Sequence, residues 1–299
     1  MKILVTGASG LLGSAVSAHF KDYFDVASAY SSHKIEINGC KTSRTDITDA
    51  KAALALIKKT RPDVIIHAAS LVGINACESQ KEMAYRINVE GTKNISVASS
   101  KAKSRLIYIS TDYVFDGKKG MYKENDEASP LNYYGQTKLE GEKFIDTANN
   151  AIIRTSIFGW NVIKERKSFS SWAIGELKAG KKINSFTDQF NSMMLVNDLA
   201  GALKKIVDND FNGVINLASA GRISKYEFVL ELCDAFGLDK NLVNPIKLNE
   251  MEGKELRPID TSLDTSKARH LNFNLPDFRT GISRMKNMQE TYFKNFKLD

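Results

Sequence analysis

No run of apolar residues in this 299-residue sequence approaches the ~20 that a membrane helix needs, so no membrane association is expected. Cysteine is scarce. Cys40, Cys77 and Cys233 stand far apart, form no C-x-x-C pair and have no histidine beside them. That excludes a disulfide framework and a structural metal site, and it suits a reducing compartment. The chain also lacks the charged-then-apolar opening of a secretory leader, and a cytoplasmic location is expected. The net charge of +7 does not come from a Lys/Arg block or from a basic stripe with interleaved aromatics. Nucleic acid is therefore not an expected partner, whereas a small substrate carrying phosphates is. Hydrophobic residues make up 42%, enough to bury an α/β core and a smaller appended lobe.

What is present alternates. Short, mostly apolar runs at Lys2–Thr6, Asp25–Tyr30, Asp63–Ala68, Arg105–Ser110 and Ala151–Ser156 read as strands. Between them, helical spacing covers Leu11–Phe20, Asp49–Thr60 (capped by Thr48 or Asp49), Met83–Ser100 and Lys138–Asn149. Strand–helix alternation with strands apolar on both faces predicts βαβ units around a parallel sheet. Later, Ser168–Lys178 and Ser224–Phe236 read as helices, the second with Ser224 and Glu227 in capping-box spacing. Met193–Val196, the helix Asp198–Asp208 and the strand Val214–Leu217 read as a return to the sheet. The last ~60 residues, with Pro245, Pro258 and Pro276, read as irregular. The expected fold is α/β: a Rossmann-like, doubly wound parallel sheet with a smaller C-terminal lobe. Residues 1–156, with 187–217 returning, form the nucleotide-binding part, and 157–186 with 218–299 form the lobe.

The first strand runs into Thr6-Gly7-Ala8-Ser9-Gly10-Leu11-Leu12-Gly13, a G-x-x-G-x-x-G turn before a helix. Glycines there permit a sharp turn and close approach to a pyrophosphate, which the helix N-terminus favours electrostatically. NAD-specific sites place a carboxylate at the end of the second strand. Here the stretch is Tyr30-Ser31-Ser32-His33-Lys34, with none. Ser31, His33 and Lys34 suit a 2′-phosphate, so NADPH is the expected cofactor, with NADH accepted. Asp46 and Ile47 fall where an adenine edge would lie.

Tyr134 and Lys138 are four apart and share one helical face. A lysine ammonium near a phenol favours the phenolate and draws its pKa toward neutrality. Thr111, at a strand end, could hold a substrate carbonyl. Thr111, Tyr134 and Lys138 are the expected catalytic set, with Tyr134 supplying the proton.

These residues resemble the extended short-chain dehydrogenase/reductases. More narrowly, Ser110-Thr111-Asp112-Tyr113-Val114-Phe115-Asp116-Gly117, Ser129-Pro130-Leu131-Asn132, Asp188-Gln189-Phe190, Arg257-Pro258 and Ser262-Leu263-Asp264-Thr265-Ser266-Lys267 resemble the dTDP-4-dehydrorhamnose reductase family. The resemblance implies NADP(H)-dependent reduction at C4 of a nucleotide-activated 4-keto-6-deoxyhexose, dTDP-4-dehydrorhamnose to dTDP-rhamnose, for cell-surface polysaccharide. It implies a dTDP-linked sugar as partner and is compatible with a homodimer. It implies cofactor contacts from Thr6, Gly7, Ser9, Gly10, Leu11, Leu12 and Gly13, from Ala68, Ala69, Ser70 and Asn88, and from Tyr134 and Lys138. Val72, Asp112, Tyr113, Val114, Phe115, Gln189 and Arg257 would face the substrate, Arg257 at its diphosphate. Two stretches depart from the family pattern: Asn191-Ser192-Met193-Met194 replaces Gly-Ser/Ala-Pro-Thr, and Trp160–Phe169 lacks Gly-x-Asn-Phe. Both fall where substrate would lie.

Other features read blandly. Lys164, Arg166 and Lys167 suit a solvated loop, Trp160 and Trp172 suit packing, and Cys77 suits an inert thiol. Two other functions remain in view. One is a non-catalytic NADP-binding subunit resembling the regulatory beta subunit of methionine adenosyltransferase. The other is a sugar-nucleotide epimerase or dehydratase. A dehydratase wants a carboxylate pair beside Thr111, and only Asp112 is there, followed by Tyr113.

Overall fold

The structure, a computed structural model, describes residues 1–250 and 256–298. Seven strands form one sheet: β1 (Lys2–Thr6), β2 (Asp25–Tyr30), β3 (Lys41–Arg44), β4 (Val64–His67), β5 (Arg105–Ile109), β6 (Ala151–Arg154) and β7 (Gly213–Asn216). Their order is β7-β6-β5-β4-β1-β2-β3, and every neighbouring pair is parallel. The connections reverse direction between β1 and β4. In a doubly wound sheet that switch point opens a crevice at the carboxyl ends of the strands.

Alternation along the strands divides the core in two. Ile3, Val5, Ile66, Ile107 and Ile153 face α1 (Leu11–Phe20) and the later helix over residues 196–208. Leu4, Ile65, Leu106 and Ile152 face α2 (Ala50–Thr60) and α3 (Gly91–Ala102). Asp49 caps α2, accepting from the backbone N–H groups of Lys51 and Ala52 at 2.8 and 3.3 Å.

Three expectations change. The helix expected over Met83–Ser100 is broken: a short helix, Lys81–Tyr85, and one π-helical turn, Arg86–Glu90, precede α3. The helix expected over Lys138–Asn149 is α4 (Tyr133–Glu142), starting earlier because Asn132 caps it, its Oδ1 accepting from Gly135 N–H at 3.0 Å. The C-terminal stretch expected to be irregular holds a helix, Phe278–Asn287, and a strand, Phe296–Leu298, paired antiparallel with Ile35–Ile37.

A separate apolar cluster gathers around α5 (Phe169–Lys178) and the helices over 225–236 and 278–287, with Phe158, Trp160, Ile174, Leu177, Phe228, Leu232 and Met285 inside. Ser224 and Glu227 form the expected capping box. The strand expected at Met193–Val196 is Met194–Leu195, which pairs with Ile157–Phe158 outside the main sheet. α6 (Val196–Asp208) follows it, and the chain rejoins the sheet at β7.

One buried ion pair ties α4 to the sheet. Arg154 on β6 donates from Nε and Nη2 to Glu142 on α4 at 3.0 and 2.8 Å, and Ser110 Oγ donates to the same carboxylate at 2.6 Å. Both side chains are over nine-tenths buried. Removing one partner of such a pair strands the other charge at a cost of about 3–5 kcal/mol. Arg154→Met should lower unfolding free energy by about that much in a denaturant titration, and a loss below 1 kcal/mol would show the pair to be incidental.

Candidate functional site

The glycine turn has three different constraints. Gly7 has φ of +74°, and a Cβ there would lie 2.6 Å from Ala69 N at the end of β4. A Cβ on Gly13 would lie 2.1 Å from Gly7 O. These two glycines let α1 and the β4 segment close onto the turn. Gly10 is different, since a Cβ there meets only Gly7 O, at 3.2 Å, and otherwise faces open space. No side chain caps α1, so its terminal N–H groups are available to an anion.

Beyond the turn lies a cleft of about 810 Å³. Thr6, Gly7, Ser9, Gly10, Ser31, Asp46, Ile47, Ala68, Ala69 and Ser70 line it. Other residues expected at the cofactor sit elsewhere. Leu12 is in the core, Leu11 packs at its edge, and Gly13 is spent on helix–turn packing. His33 and Lys34 lie outside the lining; His33 Nδ1 bonds Ser32 Oγ at 2.8 Å. Sequence reasoning missed three cations on the wall: Lys81, Arg86 and Arg166. Arg86 reaches Thr48 Oγ1 at 3.5 Å. Arg166 is on the loop assigned to solvent, and its spacing carried no sign of the cleft.

Asn88 is fully buried behind the wall. Its Oδ1 accepts from Ser70 Oγ and Leu71 N–H, both at 2.8 Å, and its Nδ2 donates to Leu71 O and to Thr137 Oγ1 on α4, both at 3.0 Å. It therefore couples the post-β4 segment to the tyrosine helix. His67 is also fully buried, between Thr6 Oγ1 (2.7 Å from Nδ1) and Thr92 Oγ1 (3.1 Å from Nε2). Thr92 spends its proton on Asn88 O at 2.7 Å. Nε2 must then carry the hydrogen, and Nδ1 accepts from Thr6. Burial, reinforced by the Lys138 charge, pushes the His67 pKa down to about 3, so the ring is neutral.

The sequence-expected trio converges at the end of this network. Thr111 Oγ1 donates to Asp112 Oδ1 at 3.0 Å and accepts from Tyr113 N–H at 3.2 Å. Burial pushes the Tyr134 phenol well above its ordinary range, against a hydrogen bond with Thr111 that lowers it. Lys138 is buried, with its ammonium 4.1 Å from the Tyr108 ring centroid. Burial draws its pKa down to about 7, opposed by Glu142. The expectation was a phenol brought toward neutrality. The structure instead favours a protonated phenol, because desolvation outweighs the Thr111 hydrogen bond and the Asp112 charge acts in the same direction as burial. Gly135 makes the approach possible, since a Cβ there would lie 2.1 Å from Tyr113 O.

The expected substrate residues divide. Tyr113 stands edge-on to Tyr134, ring centroids 6.1 Å apart. Asp112 is buried, with Oδ2 accepting from Thr261 Oγ1 and Asn191 Nδ2 at 2.6 and 2.7 Å. Val114 and Phe115 lie in a small core with Tyr122, whose ring stacks on Phe115 at 4.2 Å. Val72 is exposed and Gln189 is buried, with Nε2 donating to Pro258 O at 3.4 Å. Arg257 Nη2 donates to Asn75 Oδ1 at 2.6 Å, while its buried Nε has no partner. Arg257 also borders a second cavity of about 570 Å³ with Phe190, Arg222 and Asp260. Among the described residues no His/Cys/Asp/Glu group suited to a metal is found, and no helix is long and apolar enough to cross a membrane.

The switch-point cleft beside a threonine, tyrosine and lysine defines the Rossmann-type oxidoreductase class. The chain belongs to the RmlD substrate binding domain family, whose model matches residues 1–290. It is similar to the structure of a hypothetical dTDP-4-dehydrorhamnose reductase from Sulfolobus tokodaii, with 38% identity, a TM-score of 0.83, and coverage of 94% of this chain and 99% of the other. A dTDP-4-dehydrorhamnose reductase from Bacillus anthracis in complex with NADP has 27% identity and a TM-score of 0.85, covering 96% and 98%. Methionine adenosyltransferase 2 subunit beta of Xenopus tropicalis is 32% identical over 297 residues, 94% of this chain and 86% of the relative.

The glycines give a contrast to measure. Gly13→Ala drives a Cβ into backbone and should lower the melting temperature by several degrees. Gly10→Val should leave melting nearly unchanged yet abolish NADPH binding by calorimetry. Unchanged affinity would place the dinucleotide elsewhere.

Proposed function

We propose that this chain uses NADPH to reduce the C4 keto group of a nucleotide-activated 4-keto-6-deoxyhexose, with dTDP-4-dehydrorhamnose to dTDP-rhamnose as the expected reaction. The observation that carries this reading is the Thr111–Tyr134–Lys138 group joined to the cleft through Asn88 and Thr137. In this reading residues 1–156, with 187–217 returning, hold the cofactor, and 157–186 with 218–299 hold the sugar nucleotide.

The cleft fits a dinucleotide: Gly10 leaves room that no protein atom fills, and α1 is uncapped. Ser31 and Ser32 lie at the β2 end without a carboxylate, and Arg86 and Arg166 supply positive charge on the same wall. The bound nicotinamide supplies the hydride. Tyr134, protonated at neutral pH, passes its proton to the keto oxygen as the hydride reaches carbon, leaving an alcohol. Lys138, its charge partly available near pH 7, would hold the ribose hydroxyls of the bound nucleotide and steady the phenolate that the transfer leaves.

The second reading, a regulatory subunit, is favoured by the identity to methionine adenosyltransferase 2 subunit beta. NADPH oxidation with a 4-keto sugar nucleotide, against none with tight partner binding, separates the two. A dehydratase is disfavoured because both Asp112 oxygens are occupied by Thr111, Asn191 and Thr261.

A carboxylate at the β2 end should repel the 2′-phosphate. Ser31→Asp should weaken NADPH at least about tenfold more than NADH in fluorescence titrations, and a wild type strongly preferring NADH would refute the NADPH assignment. General acid–base groups contribute roughly 100- to 10,000-fold, so Tyr134→Phe should lower kcat by about that much with cofactor affinity retained. The Lys138 charge is present below pH ~7 and fades above it, so the wild-type affinity for NADPH should fall as pH rises through that range. Lys138→Met should bind NADPH more weakly and lose that pH dependence. Near-wild-type turnover by Tyr134→Phe would end the proton-donor assignment.

A further inference from the structure

Lys225 is the first residue of the helix over 225–236, the end where the helix dipole disfavours a cation. It does nothing for the cap, because Ser224 and Glu227 bond each other there: Ser224 N–H and Oγ donate to Glu227 Oε2 at 3.0 and 2.8 Å, and Glu227 N–H donates to Ser224 Oγ at 3.1 Å. The side chain runs into the protein and is half-buried. Burial draws its pKa down to about 8. An ammonium has three hydrogens to place. Its acceptor is the thioether of Met193, 3.2 Å from Nζ, a weak one, and its other neighbour is the Phe169 ring at 4.7 Å. Among the described residues no carboxylate lies within ion-pair distance.

The surroundings do not neutralise it. Asp112 is the carboxylate whose field reaches Lys225, and its oxygens are taken by Thr111, Asn191 and Thr261. Arg257, the other charge acting on Lys225, is a second cation, with its buried Nε unpartnered. Asp112 and Arg257 also act on Tyr113, which stands against Tyr134. Two cations thus face one fully engaged carboxylate beside the reacting side chains.

We propose that Lys225 is a substrate-binding residue that takes an anionic oxygen of the nucleotide sugar's diphosphate. The substrate class rests on the function proposed above; the unsatisfied ammonium does not. Met193 and Phe169 fit this role, because a thioether and a ring face support a cation without neutralising it.

The test needs no turnover. Binding of dTDP, UDP-glucose and UDP-glucuronic acid to the NADPH-saturated protein is measured by calorimetry for wild type, Lys225→Met and Lys225→Arg. Lys225→Met removes an unpaired buried charge, so its melting temperature and NADPH affinity should hold. A charge-assisted hydrogen bond corresponds to about tenfold or more in affinity. Lys225→Met should lose that much, and Lys225→Arg should keep most of it. A loss shared by dTDP and both UDP-sugars assigns the diphosphate; a loss confined to UDP-glucuronic acid overturns that assignment. If wild type binds the probes and Lys225→Met binds all three equally well, the assignment of Lys225 is overturned and the nucleotide-sugar reading stands. If wild type binds none of them, both fall.

Discussion

The buried hydrogen-bond chain from Thr6 through His67, Thr92 and Asn88 to Thr137 is the constraint on which the site depends. It starts on the strand that feeds the glycine turn, crosses β4 and ends on the helix carrying Tyr134 and Lys138. Each proton in it has one destination. Thr92 must donate to a carbonyl, so His67 must donate to Thr92 and accept from Thr6. A protonated His67 would lose its acceptor nitrogen, and burial keeps the ring neutral. Asn88 then uses both ends of its amide to fix α4 against the segment after β4. The glycine turn and the helix carrying Tyr134, on separate elements, are held in register by buried side chains.

Charge is distributed unevenly around that frame. Glu142 is shared between Arg154 and Ser110 and also steadies the Lys138 ammonium, so one carboxylate serves the fold and the site together. Asp112 is held by three donors and is left with no free oxygen. Lys225 and Arg257 lie within each other's field, and among the described residues neither forms an ion pair. Asp112 and Glu142 are thus satisfied while Lys225 and the Nε of Arg257 are not, an imbalance suited to a substrate that brings negative charge with it.

Much of this was legible in the sequence. The apolar runs located six of the seven sheet strands to within a few residues, because parallel strands buried on both faces carry a continuous apolar signal; the edge strand Lys41–Arg44 is polar and carried none. The spacings Gly7–Gly10–Gly13 and Tyr134–Lys138 located the turn and the helix face. Three things were not legible. The π turn at Arg86–Glu90 has no compositional mark, and it leaves Asn88 turned inward. The assignments of Arg86, Arg166 and Lys225 to the site depend on tertiary placement, since a cation in a loop or at a helix start looks the same in sequence whether it meets solvent or a chamber. The C-terminal helix Phe278–Asn287 was hidden by the prolines ahead of it; Pro276 stands just before its start and not within it.

The short strand Ile35–Ile37 follows Ser31 and Ser32 on the cleft wall, and its pairing partner is Phe296–Leu298. Asn38 and Lys21 reach the same late segment, through Lys294 O and Asn295 Oδ1. In a chain made from its N-terminus, this edge stays unpaired on the ribosome until residues near 298 emerge. The sheet core can assemble from early residues alone, but the border of the cleft beside Ser31 is among the last parts to set. Truncation at the far end of the chain would therefore be felt first near its beginning, at the cleft rim beside Ser31 and Ser32.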